Sequence, residues 1–187
     1  MKRWIPGLAL IAALLPCAML FGATKTAPAA PQTAAGLTAA VAHQIVMYPY
    51  YSVWDAVDFR IDDGHVALSG VVNQPFQKSD IEGLVARIPG VISVSSEIRV
   101  LPLSPFDDQL RLRVARAIFS DPALSRYALL AQPPIHILVD NGHVTLVGVV
   151  HTQMEKAIAG ARASGAGLSF GPVVNDLVVE NPPAKKS

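Results

Sequence analysis

Histidine is the side chain most ready to ligate a metal or move a proton near neutral pH, and this chain repeats one. His65 and His143 each follow a turn dipeptide, Asp63-Gly64 and Asn141-Gly142. Neither has a cysteine, a second histidine or a carboxylate at a recognised ligand spacing, so both read as ordinary polar residues after a turn glycine. Asp62 and Asp63 are adjacent, and neighbours on an extended strand point to opposite sides, which is wrong for a paired general acid and base. Gly165, Gly167 and Gly171 miss the dinucleotide-binding spacing and lead into a strand rather than out of one into a helix. No Gly-x-Ser-x-Gly or His-Glu-x-x-His occurs, which leaves nucleophilic and zinc-hydrolase chemistry without a foothold. The expectation is a protein with no catalytic residue, no metal, no cofactor and no small-molecule substrate.

Surface chemistry is better represented. Leu110, Val114, Ala117 and Ile118 recur at helical spacing before Pro122. Turning them inward places Leu112, Ala115 and Phe119 on the opposite face, flanked by Arg113 and Arg116. An apolar stripe bordered by cations suits an anionic phospholipid surface, with the apolar groups inserted shallowly and the arginines near phosphates. Arg111 and Arg126 are expected to add positive potential, and Tyr127, Leu129 and Leu130 to extend the apolar character. The competing expectation is that Leu112 and Phe119 pack against an earlier part of the chain. A second cluster, Tyr48, Tyr50, Tyr51 and Trp54, fits either an interfacial contact or core packing. It has no basic residue within it and ranks below the arginine-bearing helix.

The elements that must position these groups occur twice. Asp63 to Val72 reads Asp-Gly-His-Val-Ala-Leu-Ser-Gly-Val-Val, and Asn141 to Val150 reads Asn-Gly-His-Val-Thr-Leu-Val-Gly-Val-Val. Gly64, Gly70 and Val72 align with Gly142, Gly148 and Val150 at one constant offset, the mark of an internal repeat. Asp-Gly and Asn-Gly are the dipeptides best able to hold φ > 0 at both centres of a type I′ turn, so each copy predicts a β-hairpin. Gly70 and Gly148 predict a bulge or a close approach by a neighbouring helix. After the first hairpin, Asn73 is the expected cap of a helix with Pro75 in its first turn and Ile81, Leu84, Val85 and Ile88 inside; Pro89-Gly90 ends it. In the second copy Thr152 and Glu155 form a capping-box pattern ahead of an Ala- and Gly-rich helix. Val91, Val94, Ile98 and Val100 predict a closing strand, as do Val173, Val174, Leu177 and Val179. A helix before each hairpin, through Leu37, Val41, Ile45 and Tyr48 or through Leu110 to Ile118, completes an α-β-β-α-β unit. The fold class is α+β: two tandem units, each a three-stranded sheet with two helices on one face.

This succession resembles the BON domain, the family of bacterial OsmY and nodulation proteins. The resemblance rests on Asp/Asn-Gly-x-Val-x-Leu-x-Gly-x-Val and on Gly90-Val91-Ile92-Ser93-Val94, found in tandem. It covers Leu37 to Glu180, with a longer segment in the second copy at Gly167 to Pro172. Its structural motif glycines are Gly64, Gly70, Gly90, Gly142 and Gly148. The resemblance implies a non-enzymatic envelope module, with phospholipid-surface binding and responses to osmotic or envelope stress.

Lys2 and Arg3 precede an apolar stretch, Trp4 to Ala23, broken by Pro6 and Pro16, the layout of a secretory signal peptide with Ala27-Pro28-Ala29 as its cleavage site. The same stretch approaches the length of a membrane anchor, and Leu14-Leu15-Pro16-Cys17 approaches a lipidation motif. The expected layout is a signal peptide over 1–29, a tether over 30–36, domains at 37–101 and 107–180 joined by a linker at 102–106, and a frayed tail at 181–187. Cys17 is the single cysteine, so the chain after cleavage has no thiol chemistry and rests on packing. It keeps twelve basic against fourteen acidic residues, which argues against nucleic acid. The leading expectation is a periplasmic or secreted protein that binds anionic phospholipid surfaces and supports envelope-stress tolerance. The alternative is a holdase-like protein that binds unfolded clients or envelope partners through the same patches or an exposed sheet edge.

Overall fold

The computed structural model describes residues 33–167 and 169–180; the expected signal segment, Cys17 and the tail after Glu180 lie outside them. The first unit runs α1 (Ala34–Val46), β1 (Ala56–Asp62), β2 (His65–Val72), α2 (Pro75–Ala86) and β3 (Ser93–Val100). The second runs α3 (Pro105–Phe119), a one-turn α4 (Ser125–Ala128), β4 (Ile135–Asp140), β5 (His143–Val150), α5 (Gln153–Gly165), β6 (Val174–Asn175) and β7 (Val178–Val179). In each unit the second hairpin strand is central, antiparallel to the first strand and parallel to the last. The fold is α+β in two tandem units.

Both hairpin turns carry positive φ at both centres, 45° and 82° at Asp63-Gly64 and 50° and 78° at Asn141-Gly142, as a type I′ turn requires. Gly70 and Gly148 also sit at positive φ, but the close neighbour is a strand rather than a helix. A Cβ at Gly70 would fall 2.1 Å from the Ala56 carbonyl oxygen and one at Gly148 2.0 Å from that of Pro134. The incoming chain of each hairpin passes directly over these glycines, so only a residue without a side chain fits.

Two apolar clusters form between sheets and helices. The first gathers Leu37, Val41 and Ile45 of α1, Ile81 and Val85 of α2, and Val66, Leu68, Val72 and Ile98 of the sheet. The second gathers Leu110, Val114 and Ile118 of α3, Ala159 and Ala163 of α5, and Ile135, Ile137, Val139, Val144, Leu146, Val150 and Leu177. Small alanines on α5 leave room for the long aliphatic strand residues of the cluster, so a helix with Ile158 as its one large apolar contact still closes a core.

Several local expectations are corrected. Gln74, not Asn73, is the N-cap of α2, its backbone N–H donating to Gln77 Oε1 at 2.7 Å; Asn73 instead donates its backbone N–H to Asp55 Oδ1 at 2.7 Å. Val100 is exposed, and Leu101 takes the buried position, donating its N–H to the Val72 carbonyl. The last strand of the second unit is two short pieces, with Leu177 buried between them. His65 lies opposite Ser93 but Thr145 opposite Val174, so the longer Gly167–Pro172 segment adds one residue to the crossover.

The units meet along the outer edge of β4. Ile137 donates its N–H to the Val53 carbonyl at 2.7 Å, His136 Nδ1 lies 3.3 Å from the Ser52 carbonyl, and Trp54 packs on the second cluster. The loop that makes these contacts is held in the first unit by Asp55, fully buried, whose carboxylate accepts from Ser52 N–H and Oγ–H, Asn73 N–H and Gln77 Nε2. An edge strand that would invite pairing is thereby covered by its neighbour.

Candidate functional site: the outer face of helix α3

Helix α3 starts where Ser104 Oγ accepts the Asp107 N–H at 3.3 Å, with Pro105 in the first turn. Its inner side buries Leu110, Val114 and Ile118 together with two charged residues, Asp107 and Arg111. Asp107 is 1% exposed and grips the β4–β5 turn: Oδ1 accepts the Gly142 N–H at 2.8 Å and Oδ2 the Asn141 N–H at 3.1 Å. Arg111, 2% exposed, donates to the Val139 carbonyl at 2.7 Å and to Asp108 Oδ1 at 2.5 Å. It ties the helix to the sheet and adds nothing to surface potential, contrary to the expectation from spacing. Arg126 is likewise engaged, paired with Glu155 and stacked 4.9 Å over the Tyr127 ring.

The outer side carries Gln109, Arg113 and Arg116, all exposed, and Leu112, 49% exposed. Among the described residues no carboxylate pairs with Arg113 or Arg116. Phe119 does not belong to this open face. It is half-buried and packs with Ala115 and Trp54 on the margin of the second cluster. The predicted stripe is thus divided: Leu112 stays with the two arginines, beside a groove of about 190 Å³ lined also by Trp54 and Asn73 of the first unit and by the ion pair of Asp108 with Arg111, while Phe119 joins the core.

The repeat supplies an internal comparison. Leu37, Val41 and Ile45 of α1 occupy the same buried positions as Leu110, Val114 and Ile118 of α3, so Leu112, Arg113 and Arg116 correspond to Ala39, Ala40 and His43. The fold is built in the first unit without the arginines and without the leucine. Their presence on α3 is not required by packing.

After α3, Tyr127 is buried and donates its Oη–H to Glu155 at 3.0 Å, whereas Leu129 is 88% exposed and Leu130 half-exposed. Burial pushes the Glu155 carboxyl up, but hydrogen bonds from Tyr127 and the backbone amides of Thr152 and His151, with the Arg126 charge, outweigh it and hold the group below the usual carboxylate range. The aromatic cluster is split in the same way. Tyr48 is buried and donates to Asp80 at 2.6 Å, Tyr50 is exposed against Phe76, and Tyr51 and Trp54 face the second unit. Burial pushes the Tyr51 phenol up to about 12.

His65 and His143 sit at separate hairpin ends, bonded to Ser93 Oγ and the Asn141 carbonyl. Among the described residues no group of three or more His, Cys, Asp or Glu side chains is arranged to hold a metal ion, and no helix is long and apolar enough to cross a membrane.

Sequence reasoning missed Phe106 and Phe170. Their rings stack at 5.0 Å and 11° at the N-terminal end of α3, with 37% and 70% of each residue exposed. Phe106 precedes the buried series of α3 and so stood outside the periodicity that identified the helix face.

The BON domain model matches residues 33–102 and 107–181. The chain belongs to the BON domain family. Apart from Pro105 and Phe106 at the start of α3, the two matched segments take in the helices and strands described above, so this is a tandem BON protein. No curated protein matches it. Solved structures with some likeness include CdsD, a structural protein of the type III secretion system of Chlamydia trachomatis, at 17% identity and TM-score 0.32, over 77% of this chain and 61% of that one. A second structure, of the C-terminal domain of CdsD, matches at 16% identity and TM-score 0.31, over 77% and 64%. The BON pair spans less than two thirds of either chain, and at these scores neither likeness bears on its fold or role.

Proposed function

We propose that this tandem BON protein is an exported, non-enzymatic envelope protein that docks on anionic phospholipid surfaces through the outer face of α3. The observation that carries the reading is Arg113 and Arg116, without an ion-pair partner among the described residues, beside exposed Leu112, on a helix whose counterpart in the first unit has Ala39, Ala40 and His43 instead. Two guanidinium groups meet phosphates with several donors each, and the leucine beside them enters the glycerol and upper acyl region. Near an anionic leaflet each arginine contributes about 1 kcal/mol. A role in envelope or osmotic-stress tolerance follows as the physiological side of the same proposal. The test is Arg113→Glu with Arg116→Glu, which abolishes association with anionic vesicles and leaves the thermal midpoint within a few degrees of the parent. Association that persists in this variant contradicts the assignment.

A second reading, a protein-binding or holdase-like role, is favoured by one feature. β3 is the eight-residue outer strand of the first sheet, and no described strand pairs with its free edge, where an extended client segment can add. Suppression of aggregation of an unrelated unfolded protein, undiminished by salt, supports this reading over the first.

A further inference from the structure

Phe170 is a large aromatic residue that the fold leaves mostly in water. Its backbone is fixed, since the Phe170 N–H donates to the Gly142 carbonyl at 2.9 Å. The ring is fixed as well: a Cβ on Gly142 would fall 2.4 Å from it, so the turn glycine makes the seat on which it lies. On its other side it stacks on Phe106, and Leu103, two residues before α3, is 66% exposed. At about 100° per residue, Phe106 shares the outer side of α3 with Gln109, Arg113 and Arg116, and lies two turns, about 10 Å, from Arg113 along the axis. None of these outer positions is acidic. Asp107 points into the fold, and Asp108 falls on the opposite flank, tied to Arg111.

We infer that Phe106 and Phe170 form an insertion wedge, entering the interfacial region of an anionic phospholipid bilayer while Arg113 and Arg116 bind phosphates beside it. The inference rests on the reading above and adds the apolar half of the site. Charge complementarity selects the occupant, because the apolar pair shares one side of α3 with two guanidinium groups that pair with no carboxylate among the described residues, while the exposed Asp108 on the other flank is tied to Arg111, and this matches a layer that presents phosphate outside and hydrocarbon beneath. The repeat separates this from packing need. Ile92 holds the equivalent place over Gly64, with its N–H on the Gly64 carbonyl, but Thr33 stands where α3 has Phe106, so the first unit has no stacked pair. Rings held against each other and against the backbone lose little freedom on insertion, which favours binding.

The test uses the chain from Ala30 onward, which contains both buried clusters and lacks the apolar Trp4–Ala23 stretch that would itself associate with lipid. It has no cysteine, so Phe170→Cys carries a single environment-sensitive fluorophore. Vesicles of phosphatidylglycerol and phosphatidylcholine in equal parts are expected to raise and blue-shift its emission, with quenching by nitroxides on the acyl chains. Phe170→Ser is expected to weaken vesicle binding on the order of ten-fold, with an unchanged thermal midpoint. Flotation of the labelled protein with a label that remains aqueous overturns the wedge and leaves the α3 reading standing. A label that responds to an unfolded client protein but not to vesicles overturns it in favour of a protein partner. Failure of the parent chain to float removes the underlying reading, and the wedge with it.

Discussion

Replacing Asp107 separates the helix that carries the proposed surface from the hairpin that holds it. The carboxylate accepts two backbone N–H groups of one turn, from Gly142 at 2.8 Å and Asn141 at 3.1 Å, and is 1% exposed. Hydrogen bonds to a charged acceptor are worth about 1.5–3 kcal/mol each. Asn141 is exposed and its amide can turn to water, whereas Gly142 is buried and its amide is left without a partner. Asp107→Ala is therefore expected to cost about 3 kcal/mol, nearer one full charged bond and one partial one than two full ones. Asp107→Asn keeps one acceptor but turns an NH₂ toward a second N–H, for about 2 kcal/mol. The assay is urea unfolding of the chain from Ala30 onward, followed by the fluorescence of Trp54, the one tryptophan left there, which packs on the second cluster. An Asp107→Ala chain within about 0.5 kcal/mol of the parent would refute the reasoning, since that is the range of surface substitutions without a buried partner.

Other consequences follow from the same packing. His136 is held neutral at the unit junction, its pKa lowered by burial against the contrary pull of Ser52, Asp55 and Asp58. The unfolded chain gains a proton near pH 6.5 and the folded one only at lower pH, so stability falls as pH drops below about 6.5. His136→Gln should shrink the difference in thermal midpoint between neutral and mildly acidic buffer, and an unaltered difference would count against a buried neutral histidine. Gly148→Ala, at φ 118° and with its Cβ 2.0 Å from the Pro134 carbonyl oxygen, should cost at least about 2 kcal/mol in the same urea assay. Gly83→Ala, in α2 with open space around the added methyl, should instead stabilise by about 0.5–1 kcal/mol. Equal effects at the two glycines would contradict the backbone account.

The parts of this fold legible in the sequence are those set by neighbours along the chain. Asp63-Gly64 and Asn141-Gly142 announce their turns because positive φ at two successive residues is a local demand, and Leu37, Val41 and Ile45 announce a helix face because the period is local. What was misread depends on partners far along the chain. Arg111 reads as a surface cation until Val139, 28 residues later, supplies the carbonyl that buries it. Asn73 is by residue type a better helix cap than Gln74, and only Asp55, which takes its backbone N–H, shows why it stands outside the helix. Trp54 belongs by sequence to the first unit and by packing to the second. For the proposed site, helical spacing alone puts Arg113, Arg116 and Leu112 on the side of α3 away from the buried series, and all three are exposed. Phe119 sits close enough to the inner side to be drawn into the core, and the Phe106–Phe170 pair required knowledge of which loop crosses the end of α3.

The central claim is tested most directly by co-flotation of the chain from Ala30 onward with phosphatidylcholine vesicles, with and without phosphatidylglycerol, at low and at physiological salt. The account predicts flotation only where phosphatidylglycerol is present, weakening as salt shortens the Debye length toward about 8 Å, and lost when Arg113 and Arg116 are both changed to Glu. Flotation equal with and without the anionic lipid, or none under any condition, would contradict it.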